Sequence, residues 1–356
     1  MRIGIFDPYL DTLGGGERYM LTIASCLSKN NEVSVFWDSD NPLKEAEKRF
    51  EINLSGVDTS GNIFSDKFSF SKRLKASKEF DLIIYLSDGS IPLVLNKLIV
   101  HFQFPVEWVD YKNLLSKFKI RRINKIICNS LFTKKYIDKK LHRKSIVLYP
   151  PVVSYSSLHN LKKENLILTV GRFEKLKTGG TFKKHEILIE AFKSLIKNGL
   201  KNWKLVIVVS HKEADEDEIL KIKNNVKEYP IEIVRNATWS VLENLNKRTK
   251  IYWHAAGFGE DLEEYPERAE HFGITTVEAM SAGAVPVVIK AGGQMEIVDE
   301  KSGFFWNTRE ELIAKTLKLI NDEDLLSLMS KNAMERSQLF TGYRFCKELT
   351  KIIDEE

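Results

Sequence analysis

Cysteine is scarce: Cys26, Cys128 and Cys346 are the only three in 356 residues. Their odd number and wide spacing predict neither a disulfide framework nor a zinc site, and they suit a reducing cytoplasm. There is also no apolar run fit to cross a membrane. The longest, residues 80–100, is broken by Asp88, Gly89, Pro92 and Lys97, and reads as two buried strands. Residues 1–6 run straight into a strand pattern, so no secretory signal is expected. Low-complexity segments and internal repeats are missing too. Together these absences exclude a disulfide-stapled module, an integral membrane protein and a disordered chain.

What is present is ordinary globular composition, 43% hydrophobic and 10% aromatic, at a length that predicts two domains. Short β-branched runs alternate with helical patterns, the signature of parallel α/β sheets. In the first half strands are expected at 2–6, 32–37, 82–86, 97–102, 125–128 and 145–148, with a crossover helix over 15–28. Pro150-Pro151 ends that half, and the polar stretch 154–165 is the expected hinge. A second set follows at 166–170, 204–209, 231–234, 250–253, 285–289 and 303–305, and 322–356 reads as helical. This organisation gives an N-terminal domain of 1–153, a C-terminal domain of 166–335 and a last segment of 336–356.

The net charge of +5 is unevenly spread. Residues 110–145 hold twelve Lys or Arg against two Asp, and Lys67, Lys72, Arg73, Lys75 and Lys78 add to them. A basic first half points to an anionic partner: membrane phospholipid, a lipid-linked phosphate or nucleic acid. The stretch 114–127, both hydrophobic and basic, suits headgroups.

Residues 270–278 read Glu-His-Phe-Gly-Ile-Thr-Thr-Val-Glu, before Ala-Met-Ser-Ala-Gly. Glycines at 273 and 283 suit the start and the left-handed end of a short helix. Its first turn leaves N–H groups of Gly273, Ile274, Thr275 and Thr276, beside Phe272, free to hold a diphosphate. Glu270 then precedes the helix where a sugar lies, and Glu278 can accept hydrogen bonds from ribose hydroxyls. Upstream, Gly171-Arg172 ends a strand and Lys183-Lys184 precedes a helix, so an arginine and a lysine can neutralise a diphosphate without a metal. Lys183 is favoured, and Lys184 stays open. Asp11 to Arg18 carries Gly14-Gly15-Gly16, which lets backbone amides approach a substrate at a helix start. Its spacing is not G-x-G-x-x-G, which weighs against an NAD-dependent oxidoreductase despite Asp38 at the end of the second strand. His101 stands at a strand end, and His254 opens a small-residue loop, 254–259, suited to passing near a flat ring.

The run from Tyr252 to Glu278 resembles the E-x7-E region of retaining glycosyltransferases of family 4. Such a resemblance implies the GT-B fold, two Rossmann-like doubly wound domains facing across a cleft, with the last helix crossing back to the first domain. It implies a nucleotide-diphosphate sugar as co-substrate, with no other cofactor and no metal. Arg172 and Lys183 would grip the donor diphosphate, Glu270 would position the sugar, and His101 would face sugar and acceptor. The glycine loop 14–16 would lie over diphosphate and acceptor, and Gly292-Gly293 with Glu296 would turn near the nucleotide. With the basic first half, this is similar to enzymes extending lipid-linked glycans, including mannosyltransferases of N-glycan assembly. The expected reaction is transfer of mannose or glucose, from a donor such as GDP-mannose or UDP-glucose, to a polyprenyl- or dolichyl-linked saccharide. The expected location is the cytoplasmic face of the membrane, peripherally on its anionic surface, with no nucleic-acid partner. The rival readings are the oxidoreductase and a non-catalytic sugar-nucleotide-binding protein.

Overall fold

A computed structural model describes residues 1–153, 155, 162–175, 180–211 and 215–355. Residues 154 and 156–161 of the expected hinge, and 176–179 of the loop before Lys183, lie outside the described residues. The chain divides into two compact units, Met1–Pro151 with Gly342–Glu356, and Val152–Thr341.

The first unit is a parallel sheet of seven strands, ordered β3-β2-β1-β4-β5-β6-β7. Its elements run β1 (Arg2–Phe6), α1 (Gly15–Leu27), β2 (Glu32–Phe36), α2 (Asn41–Phe50), β3 (Val57–Ser60) and α3 (Phe70–Ser77). They continue with β4 (Leu82–Leu86), β5 (Lys97–Phe102), α4 (Leu114–Arg122), β6 (Lys125–Cys128), α5 (Leu131–Leu141) and β7 (Ile146–Val147). β4 is buried along its whole length, as a strand covered on both faces requires. The edge strand β3, Val-Asp-Thr-Ser, has no apolar run to announce it, and sequence reasoning missed it.

The second unit is a parallel sheet of six strands, ordered β10-β9-β8-β11-β12-β13. It comprises β8 (Glu164–Arg172), α6 (His185–Lys197), β9 (Lys204–Ser210), α7 (Glu216–Asn225), β10 (Ile231–Arg235), α8 (Trp239–Arg248) and β11 (Thr249–His254). Then come α9 (Ile274–Ser281), β12 (Val285–Ile289), α10 (Gln294–Ile297), β13 (Phe304–Trp306), α11 (Arg309–Asn321) and α12 (Glu323–Ser337). In both sheets the strand order reverses beside the first strand, and sites in such sheets form beyond the carboxyl ends of the strands.

Two expectations need correction. The final segment is helical as expected, but it leaves the second unit at 341 and not at 335. A short 3-10 turn follows α12, Val152 bridges Thr341, and a new helix α13 (Gly342–Asp354) belongs to the first unit. Nor are all the cysteines free: Cys26 of α1 and Cys346 of α13 form a disulfide, with Cα atoms 5.4 Å apart. They stand 320 residues apart in sequence, but Phe345, Leu349 and Ile352 join the core that α1 covers. Tyr19 meets the Phe345 ring edge-on at 5.0 Å. Sequence spacing has no access to a pairing made by packing. Among the described residues, no helix is long and apolar enough to cross a membrane.

Candidate functional site

Three elements of the second unit converge. Arg172 ends β8, His254 ends β11, and Gly273 precedes α9. Lys183 lies along Gly171, where a Cβ would stand 2.6 Å from its Cγ, so glycine before Arg172 makes room for the lysine stem. The Lys183 ammonium pairs with Oε2 of Glu270, and His254 Nε2 lies 2.8 Å from the same oxygen. Burial opposes a charge on Glu270, but Lys183 and the His254 hydrogen bond outweigh it and hold the carboxyl well below the usual range. Glu270 is therefore a carboxylate, so His254 donates through Nε2–H. Burial lowers the His254 pKa and keeps its ring neutral, although Glu270 pulls the other way. Arg172 is exposed and has no side-chain partner among the described residues. It is close enough to His271 to be felt there electrostatically, as is Lys183.

The start of α9 is shaped by three glycines. Gly273 caps the helix at φ 116°, a left-handed conformation that favours glycine. Gly293 N–H donates to Glu270 O at 2.7 Å. A Cβ on Gly293 would meet the carbonyls of His271 and Phe272 at 2.6 Å, so the 292–293 turn lies directly on the segment carrying Glu270. Phe272 is buried against Phe340, ring centroids 5.4 Å apart, which fixes that segment from below. Thr276 and Val277 N–H both go to Gly273 O, so no described residue claims the N–H groups of Ile274 and Thr275 ahead of them. Gly283, at φ 84°, follows the helix end.

Glu278 sits a turn into α9, 6% exposed. Tyr252 is near enough to both glutamates to feel their charge. Its hydroxyl lies 2.8 Å from Thr275 Oγ1, and its pKa is raised first by burial and then by Glu270 and Glu278. The two candidate lysines have different partners. Lys183 reaches Glu270, whereas Lys184 pairs with Glu260 Oε1, whose other oxygen accepts from Arg268 at 2.8 Å. Sequence reasoning missed Tyr252 and the Glu260–Arg268 pair. Residues 260–270 are rich in carboxylates, but nothing in their spacing names the partners.

In the first unit Gly14 caps α1, and Gly15 and Gly16 form its first turn. Glu17 Oε2 accepts from Gly14 N at 2.5 Å and from Thr12 Oγ1 at 2.8 Å. Gln103 Nε2 donates to Gly16 O at 3.2 Å, and a Cβ on Gly16 would collide with its amide. His101 does not match the expected side chain facing a sugar. The residue is wholly enclosed, its ring stacked on Tyr19 at 4.1 Å with Nδ1 3.2 Å from Ile127 O. Burial lowers its pKa to about 3, so it is a neutral core residue. Asp38, the residue that kept a dinucleotide site open, accepts from Asn62 N and pairs with Lys67.

The family profile described as glycosyl transferases group 1 matches residues 156–336, just over half of the chain. A Methanocaldococcus jannaschii protein described as an uncharacterized glycosyltransferase is 26% identical over 67% of this chain, which matches 62% of that protein's length. Over 100% of this chain and 99% of its own length, a Campylobacter jejuni protein is 25% identical. It is named GalNAc-α-(1→4)-GalNAc-α-(1→3)-diNAcBac-PP-undecaprenol α-1,4-N-acetyl-D-galactosaminyltransferase. Anabaena Alr3699/HepE, solved with UDP and glucose, superposes with a TM-score of 0.71 at 18% identity, 100% of each chain covered. With the family matched through the unit that carries Arg172, Lys183, Glu270 and Glu278, this chain belongs to the group 1 glycosyl transferases, a glycosyltransferase of the GT-B type.

Proposed function

We propose that this glycosyltransferase moves a hexose, mannose or glucose, from a nucleotide-diphosphate sugar to a polyprenyl- or dolichyl-linked saccharide, with retention and without a metal. The convergence of Lys183 and His254 on Glu270, beside the exposed Arg172 and the open start of α9, carries this reading. Breaking the anomeric carbon–oxygen bond leaves negative charge on the departing diphosphate. Arg172, Lys183 and the N–H groups of Ile274 and Thr275 oppose that charge, each well-placed donor contributing about 3 kcal/mol. Glu270, kept ionised and aimed by His254, accepts hydrogen bonds from the sugar hydroxyls. The acceptor oxygen bonds the anomeric carbon on the face the diphosphate leaves, and the acceptor's proton passes to the leaving group. Glu278 holds the ribose, and the glycines at 14–16 lie over diphosphate and acceptor. Lys184, paired with Glu260, whose other oxygen holds Arg268, supports the loop instead of gripping phosphate.

The lipid-linked acceptor is supported by the Campylobacter relative's name and by the basic first unit, and the same basic surface supports a peripheral position on the cytoplasmic membrane face. Thermal-shift screening with GDP, UDP and their mannose, glucose and N-acetylhexosamine conjugates tests the donor. A stabilising nucleotide sugar is expected, weakened by Glu278→Ala. Equal stabilisation of wild type and variant would remove the ribose assignment.

A further inference from the structure

Away from the glutamate site, the first unit holds a cavity of about 920 Å³ between α4, the end of α5 and the loop before α4. Its cations divide into two sets. Lys140 is spent on Glu107, and Arg143 donates to the carbonyls of Ile120 and Ile123 at 2.7 Å each. Lys112, Lys117, Arg121 and Lys139 also line it; all are exposed, and none has a side-chain partner among the described residues. Against these four stands one carboxylate not committed to a cation, Asp110, which accepts from Lys112 N. Uncompensated like charges around a hollow repel one another and draw in an anion.

The rim is apolar. Leu114, Leu115 and Phe118 lie along one side of α4 and are 86%, 60% and 51% exposed; Trp108, 60% exposed, stacks on Phe104 across the mouth loop. Lys117 and Arg121, four residues apart, form the next stripe of the same helix. A helix with bare leucines beside bare cations suits the boundary between headgroups and acyl chains, where tryptophan also concentrates. The helix-end cations of the cavity lie away from the carboxyl ends of the strands, while its 107–112 loop follows the carboxyl end of β5. α4 and α5 run antiparallel to their strands, so Arg121 and Lys139 stand towards the amino ends of β6 and β7, opposite the end where substrates bind.

From this juxtaposition we infer that the cavity receives the phosphate of an anionic phospholipid headgroup while Trp108, Leu114, Leu115 and Phe118 enter the acyl boundary. The inference rests on the peripheral-membrane reading above and gives it a defined site. The test uses the full chain and co-sedimentation with phosphatidylcholine vesicles, neutral or carrying roughly 30% phosphatidylglycerol. Wild type should bind the anionic vesicles and leave the neutral ones largely unbound. Lys117→Ala/Arg121→Ala/Lys139→Ala should lose about a hundredfold in affinity. Removing three charges elsewhere, Lys72→Ala/Lys75→Ala/Lys78→Ala on α3, should lose much less. Leu114→Ser/Phe118→Ser should weaken binding with the charge intact. Unchanged thermal midpoints establish that the variants are folded. Equal losses from the two triple variants would overturn the cavity and leave a diffuse basic surface, with the membrane reading standing. Failure of wild type to bind either vesicle would overturn both, and neither result bears on donor binding.

Discussion

The two units handle buried charge in opposite ways. In the second, Glu270 is met by Lys183 and His254, and Glu260 by Lys184 and Arg268, so each carboxylate stays ionised. In the first, Asp7 follows β1 with 1% exposure and no ion pair among the described residues, and its pKa is pushed up to about 8 by burial and then by Glu17. The cations of that unit gather elsewhere, around a cavity with one carboxylate to spare. Matched charges hold a site in shape before substrate arrives; unmatched ones take up a proton or wait for an external anion. The first pattern is that of a reaction centre, the second that of a docking surface.

Breaking the matched pair should have the largest effect. Glu270→Ala is expected to cut transfer by roughly 10³-fold. Lys183→Ala should do nearly as much and also destabilise the second unit, because it leaves Glu270 buried with only neutral His254 beside it, a cost of roughly 3 kcal/mol. Arg172→Ala should lower the rate without that loss of stability, since Arg172 has no side-chain partner among the described residues. Steady-state rates alongside urea titration of each variant separate these outcomes. A Lys183 variant as stable as wild type would undo the contrast.

The covalent link comes next. Because Cys26–Cys346 ties the last helix to the first unit, reduction or Cys346→Ser should lower that unit's stability by about 2–4 kcal/mol. The second unit should keep its own transition. Two calorimetric transitions, with only one moved by dithiothreitol, would show this; a single unmoved transition would count against it. A smaller effect is expected for Glu278→Ala, roughly a tenfold to hundredfold loss in donor affinity at nearly unchanged transition temperature. Isothermal titration with the best donor measures it.

Much of this architecture was legible in the chain because parallel strands buried on both faces are written as continuous apolar runs. Leu-Ile-Ile-Tyr-Leu of β4 and Val-Pro-Val-Val-Ile of β12 need no context to be read. The E-x7-E run was legible for a similar reason, since helix start, glycine cap and both glutamates lie within nine residues. What stayed hidden depends on residues far apart in sequence. The disulfide spans 320 residues, and Lys183 meets Glu270 across 87. His101 looked like a functional histidine because its strand-end position was visible while the Tyr19 ring that covers it was not.

Asp7 offers the sharpest test of the unmatched side. An ordinary aspartate has a pKa of 3.8, and in the folded chain Asp7 sits at about 8. Between those values the native state holds a proton that the unfolded chain has released, so stability falls as pH rises from about 4 to about 8 and levels off above. Asp7→Asn removes that proton exchange while keeping the shape and the acceptor for Tyr9 N–H, which Asp7 Oδ1 takes at 2.9 Å. The variant should therefore be more stable than wild type at pH 9, with the advantage shrinking as the pH falls towards 4. Glu270→Gln should behave in the reverse sense: the pairing lost with Glu270 stabilises above its unfolded pKa and vanishes as acid protonates the carboxylate. Chemical denaturation of both variants at about pH 3, 4.5, 7 and 9 compares the two units directly. Parallel pH profiles for the two substitutions would show that the units do not differ in how they handle charge.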